Sequence, residues 1–457
     1  MSFVLKNTKF NPIISRTVIT SILLLLLTIS SFNGYGQEKV PAIDSKIQAA
    51  IIDSISKSLN DVYVFPDVAK NMEKLIRKNL KDGKYKKITN LVEFSNQLTM
   101  DLRSISHDKH LGVRPLPPRD PNAAARPSPE EERKQRIVQL RKNNFGFKKV
   151  ELLPGNIGYI DFRGFADAGF GGAGATAIAA MNFLAYADAI IFDLRQNGGG
   201  SPSMIQLISS YLFEESVHLN SFYIRKTDET KQFWTQGHVE GPKMVDVPVY
   251  VLTSSYTFSG AEEFTYNLKN MKRGTIIGET TGGGAHPVSG KVFEDLNILL
   301  RVPFGRAVNP ITKTNWEGTG IEPHIKVSAD QALIVARAEA TKALMEKEQD
   351  ESIKRQLAWA LKGLEVEKNP VKVDEKTLKA YVGIYGPRKI SFENGTLHYQ
   401  REDRPKYKLI PMGDDAFMLD GLEYFRVKFN KNESGKVVEI IGMYDNGNTD
   451  SHHRTDK

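Results

Sequence analysis

Two short apolar runs, AIIFDL at residues 189–194 and VPVYVLT at 247–253, constrain this chain most. Each is too short for a typical helix, and each leads through a turn into a helical pattern. In the first, DLRQNGGGS (193–201) places three consecutive glycines ahead of a helix expected over 201–213. In the second, TSSYTFSGAEEF (253–264) places a Ser-Gly pair at the start of a helix expected over 259–271. Runs that are apolar almost throughout are buried on both faces, as the strands of a parallel sheet covered by helices must be. The neighbouring segments keep the alternation, with strands expected at 157–162 and 275–278 and a helix at 175–186. An α/β layered core over residues 148–328 follows.

The remaining segments read differently. With 457 residues, 40% of them hydrophobic, the chain can bury a sizeable core and form two to four domains. Lys6, Lys9 and Arg16 precede TVITSILLLLLTISSF, no acidic residue occurs before Glu38, and small residues stand at Gly34 and Gly36. Residues 1–36 therefore read as a secretory signal peptide, with an uncleaved anchor as the alternative. No cysteine follows the run, so it is not a lipoprotein signal. Residues 37–114 carry three- and four-residue apolar spacing and form a helical N-terminal domain. Residues 115–147 hold a proline-rich linker and a short helix, with six of the chain's 21 prolines between Pro115 and Pro129. A helical connector spans 329–366. Short alternating strands over 367–457 form a small antiparallel β domain.

Composition excludes several functions. The chain has no cysteine, so it has no disulfide framework, thiol nucleophile or thiolate metal site. Three units of its net charge of +8 sit in the first 36 residues, and basic and acidic residues interleave elsewhere. That is no nucleic-acid footprint. Beyond the signal segment no stretch is apolar enough to span a membrane. Gly169-Phe-Gly171-Gly-Ala-Gly174 matches a dinucleotide-binding fingerprint, with Asp193 after it. However, six residues separate the expected strand from Gly169, where the fingerprint needs a tight turn. A glycine-rich loop over a cleft is the better reading, and no cofactor is expected.

Ser259 is the candidate nucleophile. Its hydroxyl is unreactive unless a base activates it. Serine at a helix start is usually a plain N-cap, and on local physics that reading competes. The Gly260 N–H and one from the glycine run, Gly200 or its neighbour Gly199, would supply a two-donor oxyanion hole. His107 and His110 lie three residues apart, but no third ligand has helical spacing, so no metal is expected.

The blocks DLRQNGGG, TSSYTFSGAEEF and GTIIGETTGGG occur in that order. With them the chain resembles the tail-specific, or C-terminal processing, serine proteases, including the tricorn core and the interphotoreceptor retinoid-binding protein modules. The resemblance covers roughly residues 100–328. It implies a crotonase-like (ClpP-type) α/β core, Ser259 as nucleophile, and an oxyanion hole from Gly260 and Gly200. Members that use a Ser/Lys dyad carry lysine at the position of Gly284, so the dyad is not expected here. The tricorn-like branch uses histidine and glutamate. By resemblance, Asp108-Lys-His110-Leu supplies His110 as base, and Glu317, ahead of Gly320-Ile-Glu-Pro323, orients it. Lys109 stands where the tricorn core has a supporting serine. His286, in the glycine-rich loop, is the reserve base. Glu262 and Glu263 are expected to solvate the first helical turn or favour its dipole.

These roles describe an exported, periplasmic or secreted serine peptidase acting on peptides or proteins. No PDZ-like segment is evident, which weakens tail specificity. The C-terminal module is similar to small lipocalin-like domains of exported hydrolases, and a structural appendage is its plainer reading. The alternative function is a non-catalytic binding protein for apolar ligands or peptides on the same fold.

Overall fold

The structure, a computed structural model, describes residues 42–116 and 128–456. The expected signal segment and residues 117–127 of the proline-rich stretch lie outside the described residues.

The chain begins with three helices, α1 (Ser45–Val62), α2 (Pro66–Lys81) and α3 (Leu91–Ser106). The Asp44 and Asn90 side chains cap α1 and α3 by accepting from backbone N–H groups, and Pro66 starts α2, where its missing donor costs nothing. Ile51, Ile55 and Leu59 of α1 share a buried cluster with Met72, Phe94 and Leu98. Helix α3 ends at His107, whose left-handed backbone (φ 54°) turns the chain into strand β1 (Gly112–Pro115). Helix α4 (Pro129–Lys142) opens on a Ser128–Glu131 capping box.

The core is a six-stranded sheet. Its strands are β2 (Phe147–Leu153), β3 (Ile157–Phe162), β4 (Ala189–Asp193), β7 (Val249–Thr253), β8 (Thr275–Gly278) and the two-residue β12 (Ile325–Lys326). Their order is β12-β8-β7-β4-β3-β2, and only β2 runs antiparallel to its neighbour. Helices α5 (Ala173–Phe183), α6 (Pro202–Ser209) and α7 (Gly260–Asn270) cover one face, against Ile190, Phe192 and Val251. Helix α8 (Ala329–Lys347) covers the other, against Ile191, Leu252 and Ile277. The mixed α/β architecture is thus the one the apolar runs imply.

Two further sheets were not expected. One pairs β5 (His218–Ile224) with β6 (Glu229–Trp234) and β11 (Gly305–Val308). In the other, β1 lies antiparallel to β10 (Ile298–Pro303), and β10 to β9 (Val288–Phe293). This second sheet is a seam. Leu111, Val113, Ile298, Leu300 and Val302 join the same buried cluster as the three N-terminal helices. The helical segment is therefore fastened to the core by backbone pairing as well as by apolar burial.

After α8, helix α9 (Glu351–Lys368) leads to an eight-stranded antiparallel meander, from β13 (Gly383–Tyr385) to β20 (Thr449–His453). A bridge between Tyr385 and Arg454 joins its first strand to its last, so the sheet curls into a barrel around Phe417, Val427 and Phe429.

Candidate active site

Parallel strands carry their loops out at the same end. Because β4 and β7 are neighbours, the loops that follow them lie side by side, at the carboxyl edge where open α/β sheets bind ligands. The first loop carries Gly198 to Gly200, and the second carries Ser259.

Ser259 is not an ordinary N-cap. Caps sit in the extended region, whereas Ser259 has φ 55° and ψ −121°. A strained residue of this kind on a strand-to-helix turn is the geometry that presents a nucleophile. The strain is held by Glu262, whose carboxylate accepts from Ser259 N–H at 2.8 Å. The same carboxylate accepts from Thr281 Oγ1 and from the N–H groups of Gly283 (2.7 Å) and Gly284 (2.9 Å). Glu262 therefore ties the serine turn to the 281–284 loop. Of the two roles expected for Glu262 and Glu263, solvating the first helical turn is wrong, because both are buried. Glu262 is 0% exposed and Glu263 3%, and burial raises the pKa of both, Glu263 to about 8.

The two glycine loops pack backbone to backbone. A side chain on Gly199 would come within 2.6 Å of the Gly260 nitrogen, and one on Gly200 would strike the Phe165 carbonyl oxygen. Both positions have positive φ, 102° and 147°. Gly199 N–H donates to Asn197 Oδ1 at 2.8 Å, so of the two glycines Gly200 is the one whose N–H has no acceptor among the described residues. Gly260, first in its helix, has no intrahelical acceptor for its N–H.

His110 reaches this turn from the far side of the seam. Its Nε2 lies 3.0 Å from Ser259 Oγ, across 149 residues of sequence. The imidazole is 3% exposed and packs against the Phe258 ring, with centroids 4.7 Å apart. Burial is the main cause that lowers its pKa from 6.5 to about 4; Arg301, His286 and Arg103 push the same way and Asp108 opposes them. His110 is therefore neutral at pH 7, as a proton acceptor must be. Gly284 leaves it room: a Cβ there would lie 2.8 Å from His110 Cε1 and would clash with Phe258.

Glu317 lies near His110 without hydrogen-bonding to it. One ring nitrogen of His110 and one carboxylate oxygen from each of Asp108 and Glu317 lie within 4.8 Å of one another. Glu317 Oε2 accepts from Ala285 N–H (2.5 Å) and His286 N–H (3.2 Å), while Glu317 Oε1 and His110 Nδ1 are buried without partners among the described residues. Burial and then Asp108 raise the Glu317 pKa. The His286 ring pairs with the two carboxylates. Its Nδ1 is 2.6 Å from Asp108 Oδ2 and 3.5 Å from Glu317 Oε2.

Asp108 was missed as a separate participant, although it stands in the quoted Asp-Lys-His segment. It is 1% exposed and accepts from His110 N–H at 2.9 Å. It thus links the backbone of one histidine to the ring of the other. Lys109 donates to the Gly282 carbonyl at 2.5 Å, which ties the histidine segment to the glycine loop.

The chain is similar in part to several solved structures. A lipoprotein from Streptococcus agalactiae is 16% identical, with 65% of this chain and 96% of that one covered at a TM-score of 0.43. The photosystem II D1 C-terminal processing protease is 14% identical, covering 62% and 94% (TM-score 0.40). The tricorn protease is 14% identical, covering 70% and 37% (TM-score 0.40). The sequence matches are more telling. Residues 156–327, which hold both glycine-containing loops, Ser259 and Glu317, match peptidase family S41. Residues 37–145, which deliver Asp108 and His110, match the N-terminal domain of Peptidase_S41 in eukaryotic IRBP. The two matches meet at the seam that joins His110 to Ser259, and the chain belongs to peptidase family S41, as a serine-type peptidase.

Proposed function

We propose that this protein is an exported serine peptidase that hydrolyses peptide bonds through an acyl-enzyme on Ser259, with His110 as its base. The 3.0 Å approach of His110 Nε2 to the Oγ of a strained Ser259 carries the reading. As Oγ attacks the peptide carbonyl carbon, Nε2 takes its proton. The Gly200 and Gly260 N–H groups receive the resulting oxyanion, and each such donor is worth about 10²–10³ in rate. His110 then gives the proton to the leaving nitrogen as the C–N bond breaks. Water attacks the ester carbon and loses its proton to His110, which returns it to Ser259 Oγ as the C–O bond breaks and the acid is released. The Asp108 and Glu317 carboxylates, close to the ring, favour the imidazolium formed between these steps, and the unpartnered Glu317 Oε1 is the acceptor we assign to its Nδ1–H, to orient it. The basic, then apolar, N-terminal segment supports export, and among the described residues no helix is long and apolar enough to cross a membrane.

The test is labelling of the mature protein with a fluorophosphonate probe, beside Ser259→Ala and His110→Ala. Labelling of the wild type and of neither variant is the expected result. Labelling that survives His110→Ala moves the base elsewhere. A folded wild type that stays unlabelled points to ligand binding without hydrolysis.

A further inference from the structure

The seam that delivers His110 has a second face. Residues directly opposite in an antiparallel pair point to the same side. Val113 and Leu300 are such a pair, and both are buried among the N-terminal helices. On the other side Arg301 stands between two glycines, Gly112 on β1 and Gly290 on β9. Arg114, two residues after Gly112, points the same way. So does Arg103 of α3, because its Nη2 lies 3.7 Å from where a Gly112 Cβ would be. The glycines add no side chain beside Arg301, and Arg103 and Thr99 approach over Gly112 and Leu299 over Gly290.

Three guanidinium groups therefore share one face. Arg103 is held in place by the carbonyl oxygens of Leu111 and Lys109, both at 2.7 Å. Arg114 is exposed and Arg301 half-buried, and among the described residues neither makes a hydrogen bond or an ion pair. Burial first, and then the Arg114 and Arg103 charges, hold Arg301 below its ordinary pKa. Asp108 offsets part of the Arg103 charge, but among the described residues no carboxylate faces Arg301, so it and Arg114 repel each other and a bound carboxylate removes that cost. The patch also borders the reaction centre. His110 is two residues before Gly112, and Arg301 and Arg103 both act on its charge.

We propose that Arg114 and Arg301, with Arg103 fixed behind them, form a substrate subsite for a carboxylate, so that the enzyme selects acidic peptides. The inference rests on the proteolytic reading only for the identity of its ligand as a peptide. Guanidinium groups match carboxylates with two parallel donors, and a partly exposed pair of this kind is worth roughly a tenfold preference.

Matched peptides differing by Glu or Gln, each with a free and an amidated C-terminus, provide the test. Their binding to Ser259→Ala is read by fluorescence anisotropy, and their kcat/KM is measured on the wild type. The expected result is roughly tenfold tighter binding of carboxylate-bearing peptides, falling toward equality in Ser259→Ala combined with Arg301→Gln, and in about 0.5 M salt, where exposed charges are screened. Loss of the preference on Glu→Gln supports a subsite for acidic side chains, whereas a preference lost only on amidation belongs to the chain end and overturns selection of acidic peptides. Equal binding of all four peptides to Ser259→Ala overturns the subsite, as does an unchanged ratio in the arginine variant. If that variant does not fold, Arg114→Gln and the salt series decide the matter. A wild type that cleaves nothing while Ser259→Ala still selects carboxylates overturns the proteolytic reading and leaves the subsite standing.

Discussion

At the residue scale, the state of His110 decides when the site works. A protonated imidazole cannot take the Ser259 proton, so activity is present above the folded-state pKa and is lost as pH falls through about 4. An unperturbed histidine would place that limb near 6.5. The pH profile of kcat/KM is therefore expected to stay flat from pH 7 to about 5; an acid limb near 6.5 would contradict the burial argument. Stability is linked in the same direction. Between 6.5 and about 4 the unfolded chain binds a proton at His110 that the folded chain refuses, so this residue costs stability progressively as pH falls across that window. His286 acts at one remove, because it holds the Asp108 carboxylate that fixes the His110 backbone. His286→Phe keeps a ring but leaves the buried Asp108 Oδ2 with only the longer Tyr63 hydroxyl contact at 3.5 Å, at about 1–3 kcal/mol. The expected signature is a fall in kcat with KM nearly unchanged, since the loss falls on orientation and not on substrate contact.

At the element scale, α7 shows why part of the site is legible in the sequence and part is not. Ser259, Gly260 and the glycine run are read from TSSYTFSGAEEF and DLRQNGGGS because strand, turn and helix are local features, each announced by its own residues. The burial of Glu262 and Glu263 is not local. It depends on a loop about 20 residues on for Glu262, and on the sheet beside α7 for Glu263. The Asp108–His286 pair, 178 residues apart, leaves no trace in spacing either. The seam was missed for a related reason. GVRP is four residues running into a proline stretch, and it becomes a strand only because the β9–β10 hairpin offers it an edge. The buried carboxyl of Glu263 makes a prediction at this scale. Its folded pKa is about 8 against an ordinary 4.5, so the folded chain holds a proton that the unfolded chain loses. Stability from this group is complete below 4.5 and is lost as pH rises through 8. Glu263→Gln, always neutral and of similar size, should abolish that decline. Urea denaturation at pH 5 and pH 8 should then show a smaller stability difference for the variant than for the wild type.

At the scale of the whole molecule, the protein has two attachments with unequal consequences for the serine. The N-terminal helices meet the core at the seam, and they carry Asp108 and His110 into the site. The barrel attaches at the opposite end. A cleft of about 1260 Å³ separates it from Pro154, Ala187 and Pro248, which lie just before β3, β4 and β7, at the amino edge of the sheet. There Arg426 of the barrel stacks on Trp359 of α9, with 3.8 Å between the guanidinium and the ring centroid. Charge placed in either attachment should therefore separate the two roles. Val113 is 2% exposed in the seam cluster, and Val427 is 0% exposed in the barrel. An aspartate at either position is buried without a partner, at a cost of several kcal/mol. Val113→Asp should lift the N-terminal layer and end fluorophosphonate labelling, because His110 leaves with it, while circular dichroism still reports the α/β core. Val427→Asp should loosen the barrel to a similar degree and leave labelling intact. Equal loss of labelling in both variants would mean that the barrel, although at the far edge, helps to hold the serine turn in place.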